Sequence, residues 1–292
     1  MFLSIIIPTY NRAGYIGKTI SSLLRQDVAA SDFEIIVIDD GSTDNTRAVM
    51  ETFDRTRVRY FRKENGERSA ARNYGARLAK GDYINFFDSD DLAYPQHVRT
   101  AMDTVQRLQS PEVFHLGYDI KDDRNVLLRA VDTLPARVND LLIDGNHLSC
   151  NGVFIRTDVC LQYPFLEKLH ASEDYQLWLR LAARFNFHCV NTVTSTVVDH
   201  QSRSVLKINE AKFVYRFALL QTSLEQDERF MQVYGGRLGT FRAYLFIYMA
   251  LHFAMAGLST GKVIRYLVAA VRNKPTVLFS RRFAAVIKNT IL

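Results

Sequence analysis

The first third of the chain alternates between two hydrophobic periods. Residues 3–7 form an unbroken apolar run of strand length, and Ile16, Ile20, Leu23 and Leu24 after it recur at helical spacing. Residues 34–38 predict a second strand, the Ser42, Thr43 and Asp44 group a helix start, and residues 58–61 a third strand. A helix from about residue 69 to 79 is expected to end near Gly81 through a left-handed residue, and the run 83–87 leads straight into Asp88, Ser89, Asp90 and Asp91. Strands that are apolar throughout and alternate with helices predict an α/β chain with a mostly parallel twisted sheet covered by helices on both faces. Ligands of such sheets gather at the carboxyl ends of the strands. Three polar clusters fall there: residues 8–12, 39–44 and 88–91.

Further on, a helix is expected from Pro95 to about Gln109, a strand at 113–118, and then an irregular stretch rich in Asp, Asn and Leu. Regularity returns with a strand at 152–156, a helix at 174–185 and two short strands around His188 and Val197. Beyond Lys207 the pattern is almost wholly helical, punctuated by Gly235, Gly236, Gly261 and Pro275, so a boundary is placed near residue 205. With 292 residues, nearly half of them apolar, the chain can bury a sizeable core.

Lys and Arg exceed Asp and Glu by 37 − 31 = 6, and the excess is concentrated between Arg237 and Lys288, where it suits an anionic partner. The apolar run at 5–7 is cut short by Pro8, unlike a signal peptide, and residues 243–258 come nearest to a membrane span without reaching one, so a cytoplasmic protein is expected. Cys150, Cys160 and Cys189 have neither paired spacing nor His neighbours at zinc-ligand intervals, which predicts buried, reduced thiols.

Three carboxylates within four residues at a strand exit repel one another, and a hard divalent cation relieves that cost. Mg²⁺ or Mn²⁺ completes its shell with substrate phosphates, so one or two carboxylates suffice. A solvated turn capping the next helix is the alternative. In the second cluster an Asp can accept from a base N–H or a ribose hydroxyl, Gly41 permits a tight turn, and Ser42 or Asp44 can cap the following helix. Two familiar phosphate motifs are absent. Gly17, Lys18 and Thr19 look like the end of a P-loop, but its first glycine would have to stand where Arg12 is, and no G-x-G-x-x-G follows the first strand.

In four ordered blocks the chain resembles the inverting glycosyltransferase family 2, which has the GT-A fold of nucleotide-diphospho-sugar transferases and includes bacterial polysaccharide enzymes. The blocks are SIIIPTYNR (4–12), EIIVIDDGSTDNT (34–46), ERSAARNYGARLAKGDYINFFDSDD (67–91) and YPFLEKLHASEDYQLWLRL (163–181). The resemblance covers roughly residues 1–205 and implies a catalytic domain there, with a donor-binding half at about 1–95 and an acceptor-binding half at about 96–205; the helical pattern beyond it predicts an extension at 206–292, to which the resemblance adds no weight. It implies that Pro8, Tyr10 and Arg12 border the nucleotide base, that Asp39 or Asp40 bonds it, and that Arg68 lies near the donor diphosphate. It makes Asp90 the chief metal ligand, with Asp88 near the metal or the ribose, and leaves Asp91 open. Arg72 either serves the donor or pairs with Asp88 or Asp39. Of the acidic pair at a helix start, Asp174 is the first choice for general base and Glu173 the alternate. His200, followed by Gln201, Ser202, Arg203 and Ser204, is either a ligand of the metal or diphosphate or a surface histidine.

The expected reaction is inverting transfer of a hexosyl or N-acetylhexosaminyl group from a UDP-sugar, with Mn²⁺ or Mg²⁺ bound, to a glycan or lipid-linked acceptor. An idle nucleotide-sugar-binding module and a sugar nucleotidyltransferase are the alternatives. The second would need a Gly-rich basic loop after the first strand, where this chain has PTYNRAGY. The basic amphipathic segments at 236–292 are expected either to touch the inner face of the cell membrane or to pack on the protein or a second copy of it. No nucleic-acid partner is expected.

Overall fold

The computed structural model describes residues 1–200, 210–257 and 259–291. Two compact units emerge. The first comprises residues 1–138, 148–177 and 185–200, and the second takes in residues 139–147, 178–184 and the described residues after 209. The boundary expected near residue 205 lies outside the described residues.

The first unit starts with β1 (Leu3–Thr9), α1 (Ile16–Leu23), β2 (Phe33–Asp39), α2 (Thr46–Met50), β3 (Val58–Arg62), α3 (Glu67–Leu78) and β4 (Tyr83–Phe86). Every residue of β1, β2 and β4 is buried, as their unbroken apolar runs require. These strands pair in parallel in the order β3-β2-β1-β4, so their carboxyl ends share one edge. Ile16, Ile20 and Leu23 of α1 pack into the core beneath β1, joined by the partly buried Leu24.

Beyond β4 the sheet becomes mixed. β5 (Leu92–Ala93), α4 (His97–Arg107), β6 (Val113–Asp122), β7 (Leu127–Ala130), β8 (Val153–Arg156), α5 (Thr157–Gln162), α6 (Glu173–Ala182) and β9 (Phe187–Asp199) complete the order β4-β8-β6-β9-β5, with β7 on β6. β8 runs antiparallel to β4 and β6, and β5 antiparallel to β9. Where two short strands are expected near His188 and Val197, β9 is continuous and kinked. Its register against β6 shifts on both sides of Gly117, whose missing Cβ makes room for the Asn191 carbonyl that a side chain would meet at 2.8 Å. The polar residues of that bulge interrupt the apolar pattern and so look like a strand break.

The second unit is helical: α7 (Glu210–Glu225), α8 (Glu228–Tyr234), α9 (Leu238–Met255), α10 (Thr260–Asn273) and α11 (Arg281–Ile291). Asp227 caps α8 by accepting from the Phe230 N–H and pairs with Arg184 at 2.8 Å. Ala243, Ile247, Ala250 and Phe253 of α9 form a core with Val263, Leu267 and Ala270 of α10, Val277, and Val286 of α11. The run Glu228–Met255 is long and apolar enough to cross a membrane by length and composition alone, but many of its residues are buried inside the protein, Phe230, Tyr234, Phe241, Leu245 and Met249 along with those just named. The three cysteines are free and buried, as expected, and burial pushes Cys160 and Cys189 up to about 12.

Gly81 works differently from the expected helix stop. Helix α3 ends at Leu78 with Ala79 extended, and Gly81 is not in a left-handed conformation. A Cβ on Gly81 would instead stand 2.5 Å from the Ser4 amide nitrogen and 2.8 Å from the Phe2 carbonyl oxygen, so glycine is needed for close backbone approach to β1. Gly81→Ala is therefore expected to destabilise the protein by about 2–3 kcal/mol, since backbone cannot yield as a side chain does. The shift of the urea unfolding midpoint at unchanged slope checks this.

Candidate active site

Strands β1 and β2 end side by side, and the loops after them are stitched together. Asn11, with φ of 52°, accepts from the Thr43 N–H at 2.8 Å through its side-chain oxygen and donates its own N–H to Ser42 Oγ at 2.9 Å. Gly41 turns the chain at φ 83°, as expected after β2, and the Asp44 carboxylate accepts from the Thr46 N–H at 2.9 Å at the start of α2. Ser42, the other expected cap, is committed to Asn11. Tyr10 is left 48% exposed at the edge. Arg12 reaches the acidic segment, its Nε lying 3.2 Å from Asp90 Oδ2.

Asp39 and Asp40 both point inward. Asp39 accepts from the Ser42 N–H at 2.7 Å and from the Tyr60 hydroxyl, and burial together with this bond raises the Tyr60 pKa. Asp40 pairs with Lys63 and accepts from the Gly66 N–H at 3.0 Å. Each carboxylate oxygen has a second lone pair, so these bonds fix the groups without exhausting them as acceptors.

The acidic segment sorts its three carboxylates. Asp91 is 2% exposed and accepts from the Asn151 amide at 2.7 Å and the Val198 N–H at 2.8 Å, fastening the segment to β9. Burial, with Asp88 and Asp90 nearby, holds its pKa well above the usual carboxylate range. Asp88 takes a bond from Arg72 Nη2 at 2.8 Å while its backbone N–H donates to Asn151. Asp90 Oδ2 is 3.2 Å from His200 Nε2, and the His200 ring stacks on Tyr15 with centroids 4.4 Å apart. His200 is therefore an ordered neighbour of Asp90 and not a surface histidine. Residues 201–204 after it lie outside the described residues.

Helix α3 places Arg68 and Arg72 on one face, four residues apart. Arg72 is 2% exposed; its Nη1 donates to Glu173 Oε1 at 2.7 Å, its Nη2 to Asp88, and its guanidinium lies 5.2 Å from the centre of the Phe165 ring. Of the two roles open to Arg72, pairing with Asp88 is the observed one, and Glu173 is the partner the sequence did not suggest. Arg68 is more exposed, 3.8 Å from Glu173, and Glu173 foremost raises its pKa. Asp174, half-buried, accepts from the Tyr175 N–H at 2.7 Å, and burial first, then the neighbouring Glu173, pushes it up to about 6.

Backbone strain gathers here as well. Asn11, Glu67 before Arg68 (φ 70°) and Ser172 before Glu173 (φ 59°) are left-handed non-glycine residues, each costing about 1–3 kcal/mol. Sequence reasoning missed Tyr15, Tyr60, Lys63 and Asn151. Lys63 follows the end of β3 directly, so the strand-end rule could have found it, whereas Asn151 sits in the irregular stretch and carries no local signal. A groove of about 400 Å³ lined by Lys18, Ser21, Arg25, Tyr94 and Thr196, among others, shares none of these residues.

Asp90 and His200 offer a carboxylate oxygen and an imidazole nitrogen, a donor set that suits Mn²⁺, and among the described residues Asp90 Oδ1 has no partner. No group of three potential ligands converges among the described residues.

UDP-Glc:alpha-D-GlcNAc-diphosphoundecaprenol beta-1,3-glucosyltransferase WfgD of Escherichia coli is 32% identical over 216 residues, 73% of this chain and 83% of that one. Validoxylamine A glucosyltransferase of Streptomyces hygroscopicus subsp. jinggangensis is 48% identical over 103 residues, 34% of this chain, and the matched part spans only 24% of that relative. The crystal structure of S. aureus TarS 1–349 in complex with UDP-GlcNAc matches 99% of this chain and 89% of that one, with a TM-score of 0.70 at 19% identity, which shows a shared fold. The family model described as glycosyl transferase family 2 matches residues 4–144. With the extended match to WfgD, it establishes that the chain belongs to glycosyl transferase family 2.

Proposed function

We propose that the protein is an inverting glycosyltransferase that moves a hexosyl or N-acetylhexosaminyl group from a UDP-sugar to a hydroxyl of a glycan or lipid-linked acceptor. The observation that carries the reading is the pair of charge-assisted hydrogen bonds made by Arg72, which ties Asp88 of the acidic segment to Glu173, the neighbour of Asp174. It joins a donor-binding feature to a candidate base across a hundred residues of chain. The names of WfgD and of the TarS complex supply the choice of UDP, and that of WfgD the lipid-linked acceptor.

In this reading Tyr10 flanks the base, Pro8 and Arg12 border it, and Asp39 or Asp40 accepts its hydrogen bond, with Tyr60 and Lys63 holding those carboxylates in place. Asp90 and His200 are the residues that would hold a divalent cation, and Asp88 would be their neighbour in the same segment. When bound, the cation neutralises charge on the diphosphate as it leaves. The exposed guanidinium of Arg68 faces the same anion. Asp174 takes the proton from the acceptor hydroxyl while that oxygen attacks the anomeric carbon opposite the leaving group, which inverts configuration. Glu173 is committed to Arg72 and positions the helix start; that commitment favours Asp174 as base. The cytoplasmic supply of nucleotide sugars makes the cytoplasm the expected compartment.

A panel of nucleotide sugars, incubated with acceptor with and without Mn²⁺ and followed by nucleotide release, tests the reading. Release with no donor under any condition would overturn it. Asp90→Ala is expected to abolish the Mn²⁺-dependent part of donor binding measured by calorimetry, while Asp174→Asn keeps donor binding and loses about 10²- to 10⁴-fold in turnover.

Because Asp174 titrates at about 6, it is protonated and idle as a base below that pH. The ratio kcat/KM should therefore fall about tenfold per unit as pH drops below the Asp174 value and level off above it. A profile flat down to the ordinary carboxylate range would assign the base elsewhere.

A further inference from the structure

The helical unit carries charge and apolar exposure that the transfer reaction does not use. Residues 229–292 contain ten Arg and Lys and neither Asp nor Glu. Three of the ten are neutralised by acids elsewhere in the unit: Arg237 by Asp140 at 2.8 Å, Arg242 by Glu225 at 2.7 Å and Lys262 by Glu210 at 2.6 Å. Arg265, Arg272, Arg281 and Lys288 are exposed and form no ion pair among the described residues.

Amid these cations the turn Pro275–Phe279 presents two apolar side chains to solvent. Val277 is buried and fixes the turn, whereas Leu278 is 47% and Phe279 91% exposed. Moving two such neighbouring side chains out of water into an apolar medium is favourable by about 25 cal/mol for each Å² removed from water. On α10 the exposed Ile264 and Val268 lie one turn apart, and Arg265, Val268 and Arg272 follow at spacings of three and four residues, giving one mixed apolar and cationic stripe. Long cationic side chains can lay their stems on such a surface and keep their charges at its polar margin.

We propose that this face seats the protein on an anionic lipid bilayer, with Leu278 and Phe279 entering the boundary between headgroups and acyl chains and the unpaired cations lying against lipid phosphates. Two features favour a bilayer over a protein partner. The cations are spread along two helices with no acid among them, which matches a diffuse negative surface. The apolar groups sit on a turn between helices, a shape that enters a soft interface. The proposal rests on the transferase reading only for its purpose, which is to bring a lipid-linked acceptor within reach.

Flotation with vesicles of equimolar phosphatidylcholine and phosphatidylglycerol, against vesicles of phosphatidylcholine alone, tests it without donor or acceptor. The full chain is expected to float with the anionic vesicles at low salt, to stay behind with the neutral ones, and to be released by added salt. The double variant Leu278→Ala, Phe279→Ala should bind about tenfold or more weakly. Charge reversal at Arg272 and Arg281 should cost about fivefold or more per site. All three substituted surfaces should leave nucleotide release from a soluble acceptor assay and the unfolding midpoint unchanged. A wild-type chain that stays soluble with anionic vesicles overturns the proposal, as does a Leu278, Phe279 double variant that floats like wild type. A dimer in solution that this variant dissociates would assign the face to a second copy and also overturn it. If the wild type releases no nucleotide from any donor yet floats as expected, the transferase reading fails and the membrane surface stands.

Discussion

The buried guanidinium of Arg72 is the constraint around which the candidate site of the first unit is organised. Its two arms bond Asp88 and Glu173, carboxylates contributed by the exit of β4 and the first turn of α6. Arg72 and Glu173 are both buried, so removing either would strand the other's charge at a cost of about 3–5 kcal/mol, whereas the partly exposed Asp88 is screened by water and its bond is worth less. Phe165 against the guanidinium face and Asn73, bonded twice to the Phe165 backbone, hold α3 in the matching position. The planar fork of arginine can serve two carboxylates in fixed geometry, which a lysine ammonium cannot.

Once Arg72 has taken Glu173 and Asp88, the remaining acids acquire distinct roles from their surroundings. Asp91 is turned into the protein, where Asn151 and the Val198 amide use it as a fastener. Asp90 is left near Arg12 and His200, with an oxygen to spare. Asp174, beside the paired Glu173 and poorly hydrated, is the carboxyl whose proton affinity rises into the range useful for accepting a proton near neutrality. Neighbouring residues of one type thus perform different work because desolvation and pairing differ from one to the next.

The helical unit solves another electrostatic problem. Its final stretch has no acid of its own, and the acids that neutralise part of its charge come from Asp140, Glu210 and Glu225. Its core joins Ala243, Ile247, Ala250 and Phe253 of α9 to apolar groups of α10, α11 and the turn at Val277, and the basic side chains Arg265, Arg272, Arg281 and Lys288 stay outside it. The unpaired remainder defines a surface of one sign that stability alone does not explain.

Local pattern was enough to fix the strands and helices of the first ninety or so residues, because strands buried on both faces must be apolar throughout and their crossover helices must show a 3.6-residue period. The polar strand ends, and therefore the neighbourhood of Tyr10, Arg12, Asp39, Asp88 and Asp90, were legible for the same reason. Pairings over long separations were not: that Arg72 reaches Glu173, that Asp91 faces Asn151, or that Tyr15 stacks on His200 depends on how β8, α6 and β9 return to the first strands. Gly81 and the continuous β9 make the same point, since each is explained by backbone lying against it from a distant segment. Sequence by itself determined that the polar clusters around Tyr10, Arg12, Asp39, Asp88 and Asp90 stand at the ends of buried strands. Tertiary structure alone decided which carboxylate is paired, which is buried and which has its proton affinity raised, because burial and pairing are properties of the assembled surroundings and not of the residue.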